Sequence, residues 1–370
     1  MTRSRIIEKL SLSDKSSLNA LYAEAHAVKI STIGNKVYLR GLIEFSNICS
    51  KNCYYCGIRR GNQTVNRYEL TDEEVLAAVD FAWKNRYGSV VLQSGERQSK
   101  RFTARITRLL HEIKAYTNNE VGITLSCGEQ TAETYRDWFK AGAHRYLLRI
   151  ETTNRKLYGQ LHPNDAKHSF DARLNAIKQL RDEGYQVGTG VMIGLPFQTI
   201  EHLADDLLFF QAMNIDMVGM GPYLEHSQTP LYQFRHLLPP PEKRLELSLK
   251  MAAVLRLLMP DINIAATTAL QVLHPEGREM AVLAGANIIM PNMTLPEFRP
   301  DYLIYEHKPG VGDDAALSKS KLEENLQNAG IAIGYGEWGD SRHFTVLPDP
   351  SVLPDLQSGS SKYKHFKCKT

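Results

Sequence analysis

Residues 37–57 read VYLRGLIEFSNICSKNCYYCG, an apolar, alternating run that passes directly into three clustered cysteines. Alternation of this kind predicts a strand over 37–47, with Arg40, Glu44 and Ser46 sharing one face. Seven further strands are predicted downstream: SVVLQSG (89–95), VGITLSC (121–127), RYLLRIE (145–151), QVGTGVMIG (186–194), MVGMGPY (217–223), NIAATTAL (263–270) and NIIMPN (287–292). Helical periodicity fills the gaps at 72–86, 101–117, 131–141, 170–183, 199–213, 241–259 and 277–284, with an eighth stretch at 317–329. Thr71 followed by Glu74 reads as a capping box, and Gly142 and Gly184 read as helix stops.

Strict strand–helix alternation implies parallel strands, and eight units close naturally into a ring. An open doubly wound sheet usually has fewer units. The expected fold is therefore α/β, a complete (βα)8 TIM-type barrel over 37–330 with a helical cap over 1–36. The cap reads as helix from Asp14 to Lys29, with Leu18, Leu21, Tyr22, Ala25 and Val28 on one face, and is expected to plug the end of the barrel opposite the cysteines. Residues 331–370 are expected to form a C-terminal extension whose polar, basic tail after Leu353 is frayed.

Composition narrows the function classes. The 370 residues are 43% hydrophobic and 23% charged, which is ordinary globular composition. A formal charge of +3 is too small to argue for nucleic acid or an anionic membrane. No long apolar run spans a bilayer, and the basic start lacks the apolar block of a secretory signal. Five cysteines, three of them clustered, do not make a disulfide framework, so a reduced, cytoplasmic setting is expected.

The strand faces suggest a chamber. In the fifth strand Val187, Thr189, Val191 and Ile193 share one face, whereas Gly188, Gly190, Met192 and Gly194 share the other. Gly219 and Gly221 repeat this in the sixth strand. Barrel interiors are normally filled by branched side chains, so inward glycines imply a hollow. In the fourth strand Arg145, Arg149 and Glu151 share the face opposite Tyr146, Leu148 and Ile150. Inward arginines need carboxylate partners or an anionic ligand. Two readings follow: a structural pair such as Arg145 with Glu44, or a polar, anionic substrate.

Cys49, Cys53 and Cys56 are one ligand short of a tetrahedral zinc site, and no second knuckle exists. Cys127 falls on the apolar Val121, Ile123, Leu125 face and reads as a buried small hydrophobe. Cys368 sits in the tail. A four-iron cluster held by three thiolates, with one iron left for a small chelating molecule, fits better.

The C-x3-C-x2-C spacing, with Tyr55 before the last cysteine, resembles the signature of the radical S-adenosylmethionine (SAM) superfamily. More closely, IEFSNICSKNCYYCGIRRGN, VLQSGE, RYLLRIET, GLPFQTIEHLADDLLF, DMVGMGPY, ATTAL and NIIMPN resemble the HydE family, radical SAM maturases of FeFe-hydrogenase. These segments cover residues 38 to 305 in order. The resemblance implies a [4Fe-4S] cluster on Cys49, Cys53 and Cys56, SAM on its open iron, and a 5′-deoxyadenosyl radical made by one-electron cleavage. It implies SAM contacts at Tyr55, Gln93, Ser94, Gly95, Glu96, Glu151, Arg173 and Met192. It further implies substrate or anion contacts at Arg40, Thr124, Arg145, Arg149, Thr267, Thr268, Met290 and Tyr302. The implied substrate is small and anionic or organometallic, a cysteine-bound iron dicarbonyl cyanide unit. The implied partners are an electron donor and other hydrogenase maturases, with no nucleic acid and no membrane.

Two features depart from that family. Some members carry a second cysteine cluster, but residues 306–340 contain no cysteine. The segment NDAKH between Pro163 and Ser169 looks longer than usual and is expected to alter a loop near Arg173. Three alternatives remain in view. A methylornithine synthase-type mutase has the same needs. A biotin synthase would require more barrel cysteines than Cys127. A non-catalytic iron–sulfur protein would ligate every iron and need no chamber.

Overall fold

The computed structural model describes residues 1–312 and 315–346; Cys368 and the predicted frayed tail lie outside them. Eight parallel strands form the barrel: β1 (Lys36–Ser46), β2 (Ser89–Ser94), β3 (Gly122–Ser126), β4 (Ala143–Leu147), β5 (Gln186–Thr189), β6 (Met217–Val218), β7 (Asn263–Ile264) and β8 (Ile288–Ile289). Their spatial order follows the chain, and β8 returns to pair with β1 through Tyr38–Ile288 and Leu39–Ile289. Between β7 and β8 the ring is completed by one bridge, Ala265–Ile288, flanked by Asn287 N–H to Ile264 O at 2.9 Å and Ala266 N–H to Ile288 O at 2.8 Å. This is the thinnest seam of the barrel.

The predicted helices appear within a few residues of their expected limits: α3 (Asp72–Lys84), α4 (Lys100–Tyr116), α5 (Ala132–Lys140), α7 (Phe170–Asp182), α8 (Ile200–Ala212), α9 (Pro241–Leu258), α11 (Gly277–Leu283) and α12 (Ala315–Asn328). The Thr71–Glu74 capping box forms in both directions. Gly142 and Gly184 adopt φ +111° and +90°, the left-handed geometry that ends a helix where a side chain would be strained. Short helices that were not predicted include α6 (Arg155–Leu161) and α10 (Ala269–Leu273). The second truncates the expected seventh strand, so Thr268 stands at a helix start.

Strands β5 and β6 are shorter than their apolar runs because glycines interrupt them. A Cβ on Gly190 would lie 2.0 Å from Gly219 O, so the two backbones touch and no side chain fits between them. Pairing resumes beyond, at Met192–Ile193 with Gly221–Pro222. A Cβ on Gly188 would meet Met217 and Leu147 at 2.8 and 3.0 Å. These glycines therefore permit close packing as much as they leave room. Open space is marked instead by Gln93, Leu147, Arg149, Thr267 and Met290, which are only half-buried at inward positions.

The base of the barrel corrects the sequence reading. The N-terminal helices α1 (Arg3–Leu10) and α2 (Lys15–Thr32) pack on the outer helices α8, α9 and α11. The strand starts are crossed by the segment around β9 (Ala332–Ile333) and onward to Ser341. Gly334 N–H bonds Val37 O, Trp338 O accepts from Ser89 and Arg145, Gly339 O accepts from Arg40 and Asn263, and Ser341 N–H bonds Gln186. The plug comes from the C-terminal side because its carbonyls and Asp340 satisfy the inward arginines, which an apolar helix face does not.

Candidate active site

The cysteines occupy the loop that leaves the C-terminal end of β1, at the mouth of the barrel. The loop is pinned from several sides. Ser50 N–H bonds Glu96 O at 2.9 Å, Glu96 N–H donates to Cys49 Sγ at 3.4 Å, and Arg60 N–H bonds Lys51 O at 2.8 Å. A Cβ on Gly95 would lie 2.5 Å from Ile48 O and 2.8 Å from Cys49 Cβ, so only glycine lets the β2 end approach the loop. The segment Ser94–Glu96 is thus in direct contact with the first cysteine.

Burial pushes the Cys53 thiol up to about 12, with Cys49 next among the causes, and pushes Cys56 well above its usual value, with Cys53 and Cys49 next. Each sulfur feels the others as negative neighbours, so the trio is unstable as free thiolates and calls for a cationic centre. Among the described residues no three His, Cys, Asp or Glu side chains converge on one metal ion. A multi-iron cluster takes each thiolate on a separate iron, and the donors present fit it.

Beside the loop lies a buried network of two cations and two carboxylates. Lys51 Nζ contacts Glu96 and Glu129, each at 3.0 Å, and also the Lys167 carbonyl. Arg173 reaches Glu129 at 2.5 Å, Glu96 at 3.3 Å and Arg149 O at 2.9 Å. Burial alone would lower the Arg173 pKa, but Glu129 and Glu96 hold it above the ordinary value. Burial raises Glu96, opposed by Arg173. Four charges at one spot complement a zwitterion, because each end can exchange a protein partner for a ligand one.

Tyr55 sits edge-on to His162, centroids 5.5 Å apart, within an apolar patch that contains Leu157, Leu161, Met192 and Leu195. Burial lowers His162 to about 3, so its ring is neutral, with Nδ1 toward Tyr158 O and Nε2 toward the Tyr55 hydroxyl. Glu151 adopts φ +68°, a strained value for a non-glycine residue. It is held there between Gly190 O and Met192 N–H, and its carboxylate meets Arg149 at 3.0 Å.

The sequence-predicted substrate residues separate into two layers. Arg149, Thr267, Thr268 and Tyr302 lie toward the strand ends, whereas Met290 is in register with Arg40 and packs on the Ile33, Tyr38 and Ile288 cluster. Gln93, predicted as a SAM contact, bonds the Tyr302 hydroxyl at 3.3 Å. Arg40, Thr124 and Arg145 form a lower layer against the plug. Arg145 bonds Thr124 at 3.0 Å and Asp340 at 2.6 Å, so its carboxylate partner is Asp340 rather than Glu44. Glu44 instead pairs with Lys308 at 2.5 Å. Cys127 is fully buried in the outer core, away from this set, and burial lifts its thiol to about 12.

Several residues escaped the sequence reading. Lys51 lay unread between the first two cysteines, and Glu129 follows β3 as Glu96 follows β2, a Gly–Glu pattern repeated at two adjacent strand ends. The NDAKH loop supports the cysteines: Asn52 N–H donates to His168 Nε2 at 2.8 Å, and His168 Nδ1 meets Asp165 at 2.6 Å.

Known proteins share this arrangement. The radical SAM superfamily pattern matches residues 43–210. The FeFe-hydrogenase maturase subunit HydE of Thermotoga maritima is 43% identical over 309 residues, covering 83% of this chain and 84% of that protein. The chain belongs to the HydE family. It is accordingly a radical SAM enzyme, and the family implies a [4Fe-4S] cluster and SAM. A 3-methylornithine synthase of Methanosarcina barkeri is 31% identical over 76% of each chain. A crystal structure of methylornithine synthase superposes with a TM-score of 0.76 at 26% identity, covering 90% of this chain and 94% of that one. No helix among the described residues is long and apolar enough to cross a membrane.

Proposed function

We propose that this chain acts in FeFe-hydrogenase maturation, on a cysteine-bound iron dicarbonyl cyanide unit, with Cys49, Cys53 and Cys56 as the three protein ligands of its cluster. The observation that carries the reading is the contact between the first cysteine and the β2 end: Glu96 N–H on Cys49 Sγ, with the Glu96 carboxylate inside the Lys51–Glu129–Arg173 network. When bound, the cluster with SAM supplies a 5′-deoxyadenosyl radical after one-electron reduction. The chain's own residues hold the reactants and exclude water.

Glu96 and Glu129 receive the methionine ammonium, and Arg173 its carboxylate, with Ser94 and Gly95 lining the approach. Tyr55 and Met192 present an apolar surface to the adenine, and the strained Glu151 faces the ribose side. Arg149, Thr267, Thr268, Met290 and Tyr302 line the substrate chamber, with Gln93 between it and the cofactor. Arg40, Thr124 and Arg145 lie deeper, where Arg40 Nε and one Arg145 terminal nitrogen remain buried donors without a partner. That layer suits a small anion. An electron donor and other maturases are the expected partners, in a cytoplasmic setting.

The similarity to 3-methylornithine synthase favours one second reading, a carbon-skeleton mutase on a free amino acid. Anaerobic reconstitution with iron and sulfide, then SAM and dithionite, tests both. 5′-Deoxyadenosine is expected, together with consumption of an iron–cysteine complex. Rearranged lysine as the product would replace the maturase reading by the mutase.

A further inference from the structure

The mouth of the barrel is crossed by a strap of which only Tyr302, at its start, was among the predicted site residues. After a 3-10 turn (Pro296–Asp301), residues 302–310 pass over the strand ends. Ile304 O accepts Gly57 N–H at 2.9 Å, directly after Cys56, and a Cβ on Gly57 would lie 2.1 Å from Leu303 O. Glu306 is fastened to the loop after β6 by Ser227 N–H at 2.8 Å and Ser227 Oγ at 2.5 Å. Arg299 holds Gly310 O at 2.8 Å.

Lys308 then turns inward. Its ammonium meets Glu44 at 2.5 Å and Tyr302 O at 3.3 Å, and the second Glu44 oxygen accepts from Asn292 at 2.9 Å. The Lys308 and Glu44 side chains are 6% and 2% exposed. A pair this buried loses about as much in desolvation as it gains in attraction, so its net worth is small, but removing Lys308 alone leaves the Glu44 carboxylate buried without its counter-charge. What the pair adds is direction: among the described residues Glu44 is the carboxylate that meets the Lys308 ammonium, and it gives the strap its seat.

We propose that Lys308 is a positioning residue whose ion pair with Glu44 latches the 302–310 strap across the mouth. The latch fixes the Gly57 end of the cysteine loop and closes the chamber to water. The inference rests on the radical reading of the chamber. Glu44 is its anchor on β1, five residues before Cys49.

The test compares Lys308→Met, Lys308→Arg and the neutral double variant Glu44→Gln/Lys308→Met, all reconstituted with the cluster. Hydrogen exchange is followed by mass spectrometry in peptides covering 302–310 and 57–61, and 5′-deoxyadenosine is measured without substrate. Lys308→Met should exchange roughly tenfold faster in both peptides, because the strap opens locally rather than globally. Abortive 5′-deoxyadenosine should rise several-fold at unchanged iron and sulfide content, and Lys308→Arg should restore both. Unchanged exchange at 57–61 with unchanged abortive cleavage overturns the latch. Should Lys308→Met fail to fold, the double variant, which strands no charge, decides: faster exchange in both peptides with raised 5′-deoxyadenosine supports the latch, and wild-type exchange with unchanged cleavage overturns it. A wild-type protein that makes no 5′-deoxyadenosine would remove the radical reading, while the exchange comparison would still decide the latch.

Discussion

Arg145 and Arg149 stand four residues apart on the same inward face, yet they live differently. At the base, Arg145 is fully buried against Thr124, the Trp338 carbonyl and Asp340. At the mouth, Arg149 meets Glu151 and Val191 O, and its side chain stays 31% exposed. The base receives its counter-charge from a distant part of the chain. The mouth leaves the Arg149 side chain partly exposed, with its Nε unpartnered among the described residues. Both arginines meet a carboxylate, Asp340 at the base and Glu151 at the mouth, but only the second keeps its side chain open to solvent, which is where we propose recognition.

The largest effect at the mouth should come from Cys53→Ala. SAM cleavage and the cluster's charge-transfer absorption should both vanish, while circular dichroism stays that of the folded barrel, because the loop lies outside the ring. Retained 5′-deoxyadenosine formation would contradict the ligand assignment. At the base the largest effect should be on stability. Asp340→Ala strands Arg145 beside Arg40, and burial already lowers both guanidinium pKa values, Arg145 to about 10. A fully buried broken pair costs about 3–5 kcal/mol; with Asp340 a third exposed, roughly 2–3 kcal/mol is expected by urea denaturation. Cleavage of SAM per folded molecule should stay near wild type, and its collapse would mean that the two ends are coupled.

Arg149→Ala reverses that balance. Stability should change by less than about 1 kcal/mol, since the side chain is partly solvated. Substrate affinity should fall roughly tenfold, the scale of one lost charge-assisted bond, by anaerobic titration. Equal affinity would remove the recognition role. The smallest effect belongs to Cys127→Ser. Its sulfur meets Leu92 O at a long 3.8 Å and the Ser94 side chain in the outer core, and serine keeps that polar contact, so iron content should not change. Loss of the cluster there would overturn the separation of Cys127 from the site.

The legible part of this molecule was what repeats. Eight alternations, a capping box at Thr71 and glycine stops at 142 and 184 announce a barrel, because each rests on contacts within a few residues. The cysteine loop was legible through its spacing. The inward placement of the arginines followed from the two-residue period of a strand. What could not be read was which distant group meets them. Asp340 lies 195 positions from Arg145 and Lys308 lies 264 from Glu44, and no local pattern encodes such pairs. The Gly190–Gly219 contact was misread for a related reason: a missing side chain looks the same whether it leaves a hollow or lets two backbones meet.

The plug beneath the barrel also bears on the order of assembly. Every strand of the ring is synthesised before Trp338, Gly339 and Asp340 leave the ribosome. Until those residues arrive, Arg40 and Arg145 look into a base that solvent can enter, and the interior cannot dry. Seating the plug is therefore the step that closes the base, and during synthesis it can only follow the strands of the ring.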